Sequence, residues 1–221
     1  MVFKQQTNAG YLAKIAIRVY NRKRGKKMKY KIGVGISNKH VHLSEADLAV
    51  LFGAGHKLKV KKMLTQPGEF ASEELVDVVG SKGTLKGIRV LGPVRKESQV
   101  ELAQTDARSI GLTLPVCESG KLDNTPGVKL IGPAGELTLS KGAIIALRHV
   151  HLCPADAREA GLKDKDWVTV KTFGTRPVIF ENVLIRVGRD DFVKELHVDT
   201  DEGNAAGITN GDTAEIIDKK Q

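Results

Sequence analysis

The sequence predicts a mainly β protein with short α-helices, folded as small closed barrels and not as a parallel sheet with crossover helices. Three observations carry this. Short apolar runs recur about every ten residues between turn signals, with short helical stretches wedged among them. Two turns, Gly80-Ser81-Lys82-Gly83 and Gly132-Pro133-Ala134-Gly135, sit between alternating runs and read as hairpins. The last third also repeats a scheme. Gly161 to Val170 and Gly207 to Ile216 each supply a helix-ending glycine, a tight turn holding Asp166 or Asp212, and an alternating strand.

In chain order, Tyr30–Ser37 reads as the first strand. Ser44 is a suitable N-cap for a helix to about Phe52, with Asp47 at the third position and Gly53 closing it. Lys57–Leu64 alternates and leads to the loop Gln66-Pro67-Gly68. Leu75–Val79 and Leu85–Leu91 are the arms of the first hairpin; Gln99–Ala103 follows as a short strand. Thr105 is placed to cap a helix ending at Gly111. Val128–Ile131 and Glu136–Leu139 form the second hairpin, and Ala143–Val150 is another strand. Pro154 opens a helix that Gly161 closes, because proline suits the first helical position and glycine the residue past the end.

The net charge is +9, but it is not spread evenly. Residues 1–28 hold eight Lys and Arg and no acid, leaving 27 bases against 26 acids in the remainder. The body is nearly neutral and the charge belongs to a basic extension, which speaks of targeting or association and not of the chemistry of the folded part. Leu12, Ile15, Ala16 and Val19 fit a helical stripe there, while Ile15, Ile17 and Val19 alternate like a strand. No apolar run approaches 18 residues, so no membrane span is expected. A near-neutral body without an aromatic and basic stripe gives no expectation of nucleic-acid binding either. Cys117 and Cys153 do not make a disulfide framework. The expected place is the cytoplasm, with both thiols reduced.

The chemistry concentrates in two near-repeats, His40-Val41-His42-Leu43 and His149-Val150-His151-Leu152, each followed by two residues and then Ala-Asp. They hold four of the six histidines. On an extended chain residues i and i+2 share a face, so each pair presents two imidazoles side by side. One such pair alone reads as a polar strand face. Two copies with matching flanks in a histidine-poor chain read as a metal site, since imidazole is the commonest protein ligand for zinc-like ions. His197, across the strand from Leu196, is as readable as a core histidine until two pairs in need of further ligands favour it as a third donor. Glu101 lies between Val100 and Leu102 and faces away from them, toward solvent or toward a metal. Arg95 follows a strand end at Gly92-Pro93 and has the fork suited to phosphate. His56, in a loop beside Gly55, reads as exposed. Cys153 reads as a small residue at a helix start and not as a thiolate ligand.

Four segments resemble one family: V-G-I-S-N-K-H-V-H-L-S at 34–44, G-P-V-R-K-E-S-Q-V-E-L at 92–102, R-H-V-H-L at 148–152 and E-L-H-V-D-T-D-E-G-N-A at 195–205. They are similar to the phosphate propanoyltransferases of propanediol utilisation, the phosphotransacylases of bacterial microcompartments. The likeness is collinear over about residues 30–217. It implies conversion of an acyl-CoA, typically propanoyl-CoA, and phosphate into an acyl phosphate and coenzyme A, at a two-zinc site between two β-barrels. By resemblance, residues 29–38 plus 147–217 form the first barrel domain and 39–146 the second. His40, His42 and Glu101 fall on the ligands of the first zinc, and His149, His151 and His197 on those of the second. Arg95 matches the phosphate-handling arginine, and Gln66, Gln99, Ser119 and Arg186 match polar residues around the substrates. The likeness is compatible with a homodimer. It also gives residues 1–28 the place of an extension that directs relatives into a microcompartment, contacting its shell or lumen proteins.

Two other readings start from the same residues. Cupin-like oxygenases and isomerases also use H-x-H, with a glutamate four or five residues beyond the second histidine; here Glu45 comes at three. A basic-tailed binder of nucleic acid or membrane surfaces would use only residues 1–28. Turnover that depends on phosphate separates the first, and binding lost on removing the tail separates the second.

Overall fold

The computed structural model describes residues 28–220, so every reading of residues 1–27 falls outside it. Strand β1 (Tyr30–Ser37) runs into the short β2 (His40–His42) and helix α1 (Glu45–Phe52). Strands β3 (Val60–Met63), β4 (Phe70–Val79), β5 (Thr84–Gly92) and β6 (Gln99–Glu101) precede α2 (Gln104–Ser109). Strands β7 (Val116–Cys117), β8 (Lys129–Ile131), β9 (Glu136–Thr138), β10 (Ala143–Ala146) and β11 (His149–Leu152) lead to α3 (Pro154–Ala160). The chain closes with β12 (Trp167–Thr172), β13 (Ile179–Val187), β14 (Glu195–Asp199), α4 (Thr200–Ala206) and β15 (Thr213–Lys219).

The protein is mainly β with four short helices among the described residues, as the spacing of turn signals predicts. One sheet is a closed barrel in the order β1-β14-β11-β13-β12-β15. The other has nine strands, ordered β7-β10-β6-β2-β5-β4-β8-β9 with β3 paired to β4, and curls as a half-barrel whose end strands β7 and β9 do not meet. The repeated Gly-turn-strand scheme places its two strands, β12 and β15, side by side and antiparallel in the closed barrel. Each sheet has its own apolar core. Ile32, Val34, Val150, Leu152, Leu196 and Ile216 belong to the barrel, while Val41, Leu43, Val76, Val90, Val100 and Leu130 belong to the half-barrel. All these side chains are at most 2% exposed. Burying each contributes about 1.5–3 kcal/mol before the entropy of ordering is counted.

The local rules hold at most boundaries. Ser44 accepts from the Asp47 amide and caps α1, and Gly53 ends it. Pro154 opens α3, Cys153 Sγ accepts from the Asp156 amide as its cap, and Gly161 closes it at φ 67°, a left-handed conformation that glycine adopts without a Cβ penalty. Thr105 is different. The cap position of α2 is Ala103, and the Thr105 amide donates to Asp201 Oδ2 at 2.8 Å. Asp201 lies in α4, so the orphan donor of one unit is satisfied by a carboxylate of the other. His56 also departs from its expected exposure. It is half-buried, stacks on Phe52 and holds Glu74 Oε1 at 2.9 Å, because the loop folds back on β4.

Several further contacts tie barrel to half-barrel. Both ends of the Gln66 amide engage the Val193 backbone, at 3.0 and 3.2 Å. Arg189 donates to Pro67 O, and Lys165 pairs with Glu118. These links fix β2, β6, β11 and β14 relative to one another, and those strands carry the histidines.

Candidate functional site

Alternation along β2 and β11 explains the two histidine pairs. Val41 and Leu43 enter one core, Val150 and Leu152 the other, and the histidines between them face the opposite way. Cross-strand register supplies the third member of each group. His40 lies opposite Glu101 and His42 opposite Gln99 across the β2–β6 pair. His149 lies opposite His197 across the β11–β14 pair. Two clusters result, His40 with His42 and Glu101, and His149 with His151 and His197. In each, one donor atom per residue lies within 4.8 Å of the others.

In the first cluster Glu101 is buried, not solvent-facing. Its oxygens stand 3.5 Å from His40 Nε2 and 3.9 Å from His42 Nε2. Gln99 donates from Nε2 to Glu101 and to Ser119 Oγ at 2.8 Å, while its Oε1 accepts from the Gly120 amide at 2.8 Å. Ser119 donates to Glu101 at 3.0 Å, and Arg95 Nη1 reaches Ser119 Oγ at 3.4 Å. In the second cluster His149 Nε2 lies 3.1 Å from His151 Nε2, and Phe192 packs edge-on to His151 with centroids 4.9 Å apart. Arg186 lies opposite His151 in the register of β11 with β13. The structure thus gathers His40, His42, Glu101, Gln99, Ser119 and Arg95, and separately His149, His151, His197 and Arg186. Gln66 lines the same cavity as His40 and His197, with its amide bonded to the Val193 backbone.

Electrostatics join the two clusters. Burial pushes His149 down to about 3, helped by His197 and Arg186, and pushes His151 down to about 2, helped by His149, His197 and Arg186. Both are neutral at pH 7 and keep lone pairs for coordination. His42 is held well below its usual range by burial, then by His40 and Arg95. Burial would also lower His40, but the Glu101 carboxylate outweighs it and the net shift is upward. Glu101 is held well below the usual carboxylate range despite burial, because His40, His42 and Ser119 favour its charge. Arg95 is lowered by burial and by Arg186, with Glu69 and Glu101 opposing. The charge of Arg186 is thus felt at the Arg95 guanidinium as well as at His149 and His151.

The donor sets fit divalent ions. Among the described residues His42 Nδ1 and His151 Nδ1 are buried with no hydrogen-bond partner, so neither ring is tied at that nitrogen. The closest donor separations, 3.1 to 3.9 Å, bracket the roughly 3.3 Å edge of a tetrahedron with zinc–nitrogen bonds of about 2.0–2.1 Å. A cavity of about 570 Å³ opens between barrel and half-barrel and is lined by both clusters through His40 and His197. Its walls combine Ile36, Met63, Leu64 and Leu91 with Lys39, Lys62 and Arg89.

Pattern alone did not single out Glu69, which stands 3.7 Å from Arg95 Nη2, or the cavity lysines. Glu195 was also missed. It sits two residues before His197 with its carboxylate 2.7 Å from His197 Nε2, and the i, i+2 spacing that marked the histidine pairs was its available signal.

Comparison with known proteins gives one consistent result. The family profile described as phosphate propanoyltransferase matches residues 33–209. A phosphate propanoyltransferase of Thermotoga maritima is 54% identical over 186 residues, covering 84% of this chain and 88% of its own. That of Salmonella typhimurium is 48% identical over 180 residues, covering 81% and 85%. That of Rhodopseudomonas palustris is 44% identical over 190 residues, covering 86% and 84%.

Proposed function

We propose that this chain, which belongs to the phosphate propanoyltransferase family, moves a propanoyl group between coenzyme A and phosphate at a site holding two zinc ions. Family membership makes it an acyltransferase of the phosphotransacylase kind, using acyl-CoA, coenzyme A and phosphate. The two zinc ions and the propanoyl preference are the finer reading. The observation that carries the two-metal reading is the pair of three-donor clusters, largely buried and reaching one cavity through His40 and His197.

In this reading His40, His42 and Glu101 hold one ion and His149, His151 and His197 the other. When bound, the ions supply Lewis acidity for the thioester carbonyl and the departing thiolate, and charge neutralisation for phosphate. The chain's own residues do the rest. A phosphate oxygen attacks the thioester carbon, the carbon–sulfur bond breaks, and the pair of electrons leaves on sulfur. Arg95 and Arg186 are the forked cations that orient phosphate for this attack. Gln99 and Ser119 donate to Glu101 and keep it an ionised ligand in one orientation. Lys62 and Arg89, with Lys39 held by Asp106, are the cavity cations that would meet the phosphates of coenzyme A, beside an apolar wall and the carboxylates Glu69 and Glu195. Gln66 lines the cavity and fixes the Val193 backbone against the 66–68 loop.

The same proposal takes 29–38 plus 147–217 as one barrel domain and 39–146 as the other, supported by the two separate sheets and cores. It assigns residues 1–28 to delivery into a bacterial microcompartment. Among the described residues no helix is long and apolar enough to cross a membrane. The test is release of free coenzyme A from acyl-CoAs of graded length, with and without phosphate. The expected result is release that requires phosphate and is fastest with propanoyl-CoA. Release independent of phosphate overturns the reading.

A further inference from the structure

In Glu195-Leu196-His197 the glutamate and histidine share one strand face while Leu196 enters the barrel core. Glu195 is only 8% exposed, and its carboxylate has one hydrogen-bonding partner among the described residues, His197 Nε2 at 2.7 Å. The neighbouring cation Lys194 turns away to Asp156 and the Tyr30 ring. A buried carboxylate is costly unless paired, and this one is spent on a single imidazole. The fold also keeps room for it. Gly35 lies opposite His197 on β1, and a Cβ there would come within 2.9 Å of the Glu195 carboxyl carbon and 3.1 Å of His197 Cδ2.

Two of the other cluster histidines show what such a bond does. His40 Nδ1 is held by Asn38 O at 2.7 Å and His149 Nδ1 by Leu147 O at 2.8 Å, which leaves Nε2 of each for an ion. His197 is the reverse case, with Nε2 held and by a carboxylate. The charge balance differs as well. The first cluster contains a carboxylate, Glu101, whereas the second has three imidazoles with Arg186 beside them.

We propose that Glu195 is a positioning residue that takes the Nε2–H of His197, turning Nδ1 toward the ion and lending the second cluster its negative charge. This rests on the reading of His149, His151 and His197 as metal ligands. A carboxylate behind a metal-bound imidazole fixes the tautomer and ring and raises its basicity, and its loss costs about 10- to 100-fold in metal affinity.

The test is titration of the zinc-stripped full chain with Zn²⁺ against a chromogenic chelator, for the parent protein, Glu195→Gln, Gly35→Ala and His197→Ala. Nitrogen-15 histidine spectra of the zinc-loaded parent are recorded alongside. The parent is expected to bind two ions, with His197 protonated on Nε2 and metallated on Nδ1. Glu195→Gln should weaken one ion by about 10- to 100-fold and leave the other unchanged. Gly35→Ala, which displaces the pair without removing it, should act at the same ion, and His197→Ala should lose that ion. Unchanged affinity in Glu195→Gln, or zinc on Nε2 of His197, overturns the proposal. Complete loss in Glu195→Gln equal to His197→Ala also overturns it, because that marks a ligand and not a positioning group. A parent protein that binds no zinc at this cluster defeats the underlying metal reading instead, a different and recognisable failure.

Discussion

Replacing Arg95 with lysine separates phosphate handling from everything else the site does. The Arg95 main chain is anchored independently of its side chain, with its amide donating to Leu43 O at 2.9 Å and a bridge to Ser44. Among the described residues the guanidinium makes only long contacts, 3.4 Å to Ser119 Oγ and 3.7 Å to Glu69 Oε1. Partly exposed contacts of that length contribute about 0.5 kcal/mol or less, so the fold and the metal sites lose little. If the fork clamps phosphate in the transition state, lysine keeps the charge but loses the two-pronged geometry. The expected cost is about 2–4 kcal/mol, or roughly 30- to 1000-fold in rate, the scale for losing a strong stabilising donor. Coenzyme A release measured against phosphate concentration should show the loss, with metal content, melting temperature and apparent affinity for acyl-CoA little changed. Parent-like phosphate kinetics in Arg95→Lys would remove Arg95 from the site.

Three further outcomes follow from the same geometry. Changing His40, His42, His149 or His151 to alanine should each lower occupancy of one ion, since a three-ligand site has no spare donor; elemental analysis decides it, and unchanged metal after the quadruple change refutes the reading. Removing residues 1–28 should leave catalysis nearly untouched while altering solubility or delivery to a partner assembly; a truncated protein that binds metal but is inactive contradicts this. Glu74 is buried and accepts from the Lys59 amide and His56, and its pKa is lowered although burial opposes it, because His56 and backbone donors favour the charge. A depressed folded-state pKa gives stability that is present above the unfolded value of about 4.3 and lost as pH falls through the folded one. Glu74→Gln should therefore cost about 1–3 kcal/mol in denaturant unfolding at pH 7 and converge with the parent in acid. An equal gap at both pH values is the contrary result.

Local signals were legible wherever one residue decides a boundary. Ser44, Gly53, Pro154 and Gly161 mark helix ends because each satisfies or frees a specific backbone group, and the two four-residue turns fix their hairpins. The histidine pairs were legible because period two is local. What depends on the partner strand was not. Glu101 looks solvent-facing from its own neighbours, and only the pairing of β6 with β2 sets it against His40. The acceptor for the Thr105 amide at the start of α2 is Asp201, almost a hundred residues away, so nothing near Thr105 announces it. Closure is likewise non-local. The same spacing of short strands gives a ring in one half and an open curl in the other, because β7 and β9 do not pair with each other. Gln66 shows the remaining limit, since a polar loop residue carries no mark of whether its amide faces a substrate or a neighbouring backbone.

The central claim is acyl transfer to phosphate at two metal clusters, and metal reconstitution tests it most directly. The stripped full chain is titrated with Zn²⁺ while phosphate-dependent release of coenzyme A from propanoyl-CoA is followed. The account predicts negligible activity without metal and a rise that levels off at about two ions per chain, one for each three-donor cluster. Full activity in the metal-free protein, or a plateau at one ion, contradicts it.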